Sequence, residues 1–158
     1  MEKIDILFDI VVCVGPHDND IIKSVVPYIT KNVIGYRNIY LVCSNPTTSV
    51  PGTITIDEKI FPFTINDLVN RFGPNNRNGW YLQQFHKIEA LTRSNTDISV
   101  IWDADCVPVK KIELIELIRS GNYRPSGKVG DIQQSEIVVI AVPTPLTAER
   151  KPDLKFVN

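Results

Sequence analysis

The sequence predicts an α/β fold of three layers, α/β/α, around a mainly parallel sheet. Three features predict it. Runs such as Ile10–Val14, Ile39–Cys43 and Ile98–Trp102 are apolar almost without a break, which marks strands covered on both faces. Helical stretches with an apolar stripe alternate with these runs. The runs also stop at Gly, Pro, Asn or Asp, the residues of loops at a sheet edge.

Length and composition bound the answer. The chain has 158 residues, which suits one domain, and 43% of them are hydrophobic, enough for a core. Lys and Arg number 17 against 18 Asp and Glu, so no basic excess points to nucleic acid or an anionic membrane as a partner. Apolar runs of roughly eight residues are too short for a membrane span. The opening "MEKIDILFDI" carries acids inside its apolar stretch and does not read as a signal peptide. Cys13, Cys43 and Cys106 sit in or beside apolar runs without zinc spacing. Buried free thiols in a reducing cytoplasm are the expectation.

"DILFDIVVCVG" (5–15) reads as a buried strand ending at Gly15-Pro16. A helix follows, with Asp18 as its N-cap and Ile21, Ile22, Val25, Val26 and Ile29 as its stripe; Pro27 should strain it. "RNIYLVCSN" (37–45) and "TITIDE" (53–58) are the next strands. "TINDLVNRF" is a short helix capped by Thr64. "GWYLQQFHKIEALTR" (79–93) is a stronger one, with Trp80, Leu82, Phe85, Ile88 and Leu91 expected on or near its buried side. "DISVIW" (97–102) is a further buried strand, "KKIELIELIRSG" (110–121) a helix, and "SEIVVIAVPTP" (135–145) a last strand ending in a Pro-Thr-Pro turn.

The strand 97–102 delivers Asp103 and Asp105 to its carboxyl end, the edge at which open α/β sheets bind ligands. Two carboxylates one residue apart can share one hard divalent cation, Mg²⁺ or Mn²⁺, and such an ion stabilises a departing diphosphate. A solvated strand end is the other reading of so short a motif.

The neighbouring stretches add to it. "IVVCVGPHDNDII", "RNIYLVCSNP", "IDEKIFPF", "NRNGWYLQQFHKIEAL" and "ISVIWDADCVPVKKIEL" occur in one order. Together they resemble a family of GT-A type glycosyltransferase-like proteins over roughly residues 7 to 114. The resemblance implies a nucleotide-sugar donor, a divalent metal and sugar transfer to an acceptor that the sequence does not identify. By position, Asp103 and Asp105 would be the metal pair, with Asp105 the more direct ligand. Val14, Gly15 and Pro16 would line the nucleotide pocket at the end of the first strand. Arg77 would approach a phosphate, and Gln83, Gln84 and Lys87 would face base, ribose or phosphate from the exposed side of the 79–93 helix. For Arg77 and Lys87 a solvated surface charge is the competing reading. Core packing is the expectation for Trp80 and Tyr81, and a surface or loop position for His17 and His86.

The tail follows another pattern. "DIQQSEIVVIAVPTPLTAERKPDL" (131–154) resembles a segment of the nucleotide-sugar 6-dehydrogenases that oxidise UDP- or GDP-sugars with NAD. There Val142, Pro143, Thr144 and Pro145 would approach the cofactor. The glycine-rich phosphate loop of such enzymes is missing, since "VGPHDND" lacks its second and third glycines. The two resemblances divide the chain into a nucleotide-sugar-binding region, 1–114, and a dehydrogenase-like fragment, 115–158. They predict a joint between unrelated pieces near residues 112 to 122. One divergent α/β domain is the competing reading. On the first reading the chain is an incomplete GT-A nucleotide-binding half, whose last strand joins the same sheet through helix 110–120. Its chemistry is then open between a truncated transferase, a dehydrogenase fragment and a non-catalytic nucleotide-binding remnant.

Overall fold

The computed structural model describes residues 7–45, 47–96 and 98–121. Their strands are β1 (Phe8–Val14), β2 (Tyr36–Cys43), β3 (Ile54–Asp57) and β4 (Ile98–Asp103), and their helices are α1 (Ile21–Asn32), α2 (Ile65–Phe72), α3 (Asn78–Thr92) and α4 (Leu114–Arg119). The strands form one sheet in the order β3–β2–β1–β4, and every pair is parallel. This is a Rossmann-like α/β fold, as the uninterrupted apolar runs require.

β1 is central and buried along its whole length. Side chains alternate between the two faces of a strand. Phe8, Ile10, Val12 and Val14 therefore share one face, against Ile22, Val25, Val26 and Ile29 of α1, with Leu114 and Ile115 of α4 beside them. Val11 and Cys13 turn to the other, against Val42, Phe61 and Ala90 of α3. The two clusters are the two cores of a three-layer arrangement. Asp9 shares that second face and is fully buried. Its carboxylate accepts from Arg37 Nε at 3.1 Å and from Arg37 Nη2 at 2.7 Å, and also from Asn38 and Ser94.

Several elements differ in detail from their expected form. α1 begins at Ile21, and Asp18 does not cap it. Pro27 lies inside α1 on its exposed side, where water can solvate the Lys23 carbonyl that the ring leaves without a donor. The expected helix 110–120 is shorter. Ile112 instead forms a parallel bridge with Val33: its N–H donates to Asn32 O at 2.7 Å, and the Ile34 N–H donates to Ile112 O at 2.9 Å. The Asn32 side chain also donates to Pro108 O at 2.6 Å. These bonds hold the segment extended against the end of α1, so tertiary pairing overrides its helical periodicity. Cys13 and Cys43 are buried free thiols as expected, but Cys106 is exposed. The connection 122–131, the strand 135–145 and the turn Val142–Pro145 lie outside the described residues. Among those described, no helix is long and apolar enough to cross a membrane.

The start of α2 follows directly from its sequence. Thr64 Oγ1 accepts from the Asp67 N–H at 3.4 Å, while Asp67 Oδ2 accepts from the Thr64 N–H at 2.7 Å. The reciprocal pair satisfies two N–H groups that a helix start leaves open. Hydrogen bonds from the Thr64 hydroxyl and N–H hold the Asp67 carboxyl below its ordinary value. Thr64→Ala should cost about 1 kcal/mol in urea unfolding, and Thr64→Ser should restore most of it.

Candidate functional site

The strand order turns at β1. The chain runs outward from β1 to β2 and β3, then returns to place β4 on the other side of β1. In open parallel sheets this reversal opens a crevice at the carboxyl ends of the two strands that flank it. Cys13 pairs with Asp103 in the β1–β4 register, so the loop that begins at Gly15 and the turn that carries Asp105 emerge side by side.

A cleft of about 400 Å³ lies there, lined by Asp18, Trp80, Gln83, Gln84, Lys87, Asp103, Ala104 and Asp105. Asp103 closes β4 and is exposed; Ala104 is buried between the two aspartates. Burial of Ala104 anchors the turn and leaves both carboxylates at the rim. Lys87, whose side chain is 14% exposed, reaches Asp103 Oδ1 at 2.8 Å.

The loop after β1 supplies the opposite wall. Asp18 Oδ2 accepts from the Gly15 N–H at 3.1 Å, and Gly15 O accepts from the Asp18 N–H at 3.1 Å. A Cβ at position 15 would stand 3.0 Å from that same Oδ2, a tight approach to which the carboxylate would have to yield slightly. Gly15 thus holds Asp18 through its backbone N–H and carbonyl.

A second cleft of about 200 Å³ opens beside the first, between the ends of β1 and β2 and helix α3. Val14, Gly15 and Pro16 line it, together with Ser44, Glu58 and His86. Gln83 lines both clefts and donates to Cys13 O at 3.5 Å, tying α3 to the end of β1. Burial pushes the Cys13 thiol up to about 12 and the Cys43 thiol up to about 11. Burial thus favours the neutral thiol over the nucleophilic thiolate at both positions.

α3 presents a different face to the sheet from the one its sequence suggests. Asn78, His86 and Ala90 are buried, whereas Trp80 is 52% exposed and Ile88 59% exposed. Gln83, Gln84 and Lys87 are half-buried rather than on a fully exposed side, and they face the clefts. His86 is no surface residue. Its ring meets that of Phe61 at a tilt of 51°, its Nε2 lies 3.3 Å from Phe63 O, and its Nδ1 lies 3.6 Å from Glu58 Oε2. Trp80 belongs to the first cleft rather than the core. The available signal was spacing: Trp80, Gln84 and Lys87 recur at intervals of four and three, which places them on one helix face. Ser44, Glu58 and His86 had no such signal. They come from three separate elements. Arg77 stands exposed just before α3, outside the residues that line either cleft, and its N–H donates to Asn75 Oδ1 at 2.8 Å.

The donor set suits a small hard cation. Two carboxylates at one rim match an ion that keeps much of its shell for water and phosphate oxygens. Among the described residues no group of three or more His, Cys, Asp or Glu side chains converges to hold a metal unaided. An ion here would therefore depend on oxygens brought by its ligand. Comparison with protein-family models, with curated proteins and with solved structures returned no match for the chain.

Proposed function

We propose that the clefts at the ends of β1, β2 and β4 bind a nucleotide sugar, and that the chemistry behind this site is metal-assisted glycosyl transfer. One observation carries the reading. Asp103 and Asp105 share a cleft with Lys87 and Gln83 at the point where the strand order reverses. On this reading the base lies in the smaller cleft beside Val14, Gly15 and Pro16, and the diphosphate lies in the larger one. Gln83, which lines both, stands at the ribose between them. Mn²⁺ or Mg²⁺, when bound, would neutralise the diphosphate as a leaving group. Asp103 and Asp105 would hold that ion, Asp18 would hold the loop that closes the nucleotide side, and Lys87 would add positive charge along the phosphates.

Calorimetric titration with UDP and GDP, with and without Mn²⁺, tests the reading. Binding of one of them should require Mn²⁺. Asp105→Asn should weaken that binding by about 100-fold, since loss of even an outer partner of a metal ligand costs 10- to 100-fold. Full affinity in Asp105→Asn would sink the metal site. Metal-dependent binding without turnover would favour the nucleotide-binding remnant. Metal-independent binding of NAD would favour the dehydrogenase reading, which rests on Val142, Pro143, Thr144 and Pro145.

A further inference from the structure

Asp103 carries a cation of the protein's own. Lys87 Nζ stands 2.8 Å from Asp103 Oδ1, and its side chain is 14% exposed against 61% for Asp103. The stem of Lys87 is thus largely covered while its ammonium reaches the cleft rim. A divalent ion on the same carboxylate would meet that ammonium at short range, and like charges that share one carboxylate repel. A lysine head on a four-carbon stem can swing to another acceptor, and it binds phosphate as a point charge.

We propose that Lys87 orders the loading of the site. Paired with Asp103, it weakens binding of a divalent cation alone. When the cation arrives with a diphosphate, the ammonium leaves Asp103 for the phosphate oxygens. The protein then takes metal and nucleotide together and discriminates against metal by itself. Lys87 is in this sense a positioning and specificity-determining residue, and the inference rests on the reading of the cleft as a metal–diphosphate site.

The test uses the whole chain, with Mn²⁺ as probe, followed by electron paramagnetic resonance in the absence of nucleotide. Lys87→Gln should bind Mn²⁺ alone about tenfold more tightly than wild type, because the competing charge is gone. The same variant should bind UDP or GDP in the presence of Mn²⁺ about tenfold more weakly, because the phosphate loses a charged partner. Lys87→Met serves if Lys87→Gln does not fold, with circular dichroism as the check. Equal or weaker Mn²⁺ binding in the Lys87 variant overturns the proposal, while the site itself stands if Asp105→Asn still loses Mn²⁺. Unchanged nucleotide affinity in the Lys87 variant overturns the transfer of the ammonium to phosphate. Mn²⁺ binding that Asp105→Asn leaves intact overturns the reading of the cleft, and the ordering role with it.

Discussion

Replacing Arg37 with alanine should lower the thermal midpoint of unfolding by about 10 °C at neutral pH. The cost falls on Asp9, not on the arginine. Asp9 is fully buried, and Arg37 meets both of its oxygens. The pair is half-buried, since the Arg37 side chain is 37% exposed, and removal of the arginine leaves a buried carboxylate without its charged partner. Asn38 and Ser94 would remain as neutral donors, and they only soften the loss. Arg37→Lys should fall between, since an ammonium keeps the charge and loses the two-pronged contact.

The effect should depend on pH in a definite direction. Burial alone pushes the Asp9 carboxyl up, but the hydrogen bonds from Arg37, Ser94 and Asn38 and the charge of Arg37 outweigh burial and hold it below its ordinary value of 3.8. A group lowered in the folded state contributes stability that is whole above its unfolded value and is lost as pH falls through the folded one. The pair therefore supports the fold at neutral pH and ceases to as the solution is acidified below about pH 4. Without Arg37, burial dominates and protonation relieves the penalty. The gap between wild type and Arg37→Ala, read from urea unfolding at pH 7 and at successively lower pH, should narrow on acidification. A gap of constant size would show that Arg37 acts through packing of its stem rather than through the carboxylate.

How much was legible in the sequence varies along the chain. The strands were legible because burial on both faces leaves an apolar run that nothing else in a short segment explains. The carboxyl end of β4 was legible too, since a strand followed by two aspartates fixes where they emerge. The role of Asp9 is not legible. An acid in an apolar strand shows its purpose only through Arg37 and Ser94, which lie on other segments. The buried side of α3 was misread for the same reason. Asn78, Leu82, His86 and Ala90 form a stripe four residues apart, and two of its members are polar. The buried Asn78 amide donates to Gly73 O at 2.9 Å while its Oδ1 meets no hydrogen-bond donor among the described residues, and His86 meets Phe63 O and Glu58. A pattern of apolar residues cannot register partners that the fold brings from elsewhere.

That misreading separates two isoleucines that look alike in the sequence. Ile10→Ala should destabilise the fold by about 3 kcal/mol, whereas Ile88→Ala should change stability by less than about 0.5 kcal/mol. Ile10 is fully buried in the central strand, opposite Ile39 of β2 and Val100 of β4. Both neighbouring strands restrain it, so the space left by truncation cannot collapse, and the cavity adds to the lost transfer energy. Ile88 is 59% exposed on α3, and its truncation removes little surface from contact and opens no cavity. Alanine is also the better helix former, which offsets part of that small loss. Urea unfolding of the two variants side by side measures the contrast. Comparable losses at both positions would mean that α3 packs on the sheet through the face its apolar residues suggest. Trp80 would then turn inward, and the Gln83–Lys87 side of the helix would leave the clefts.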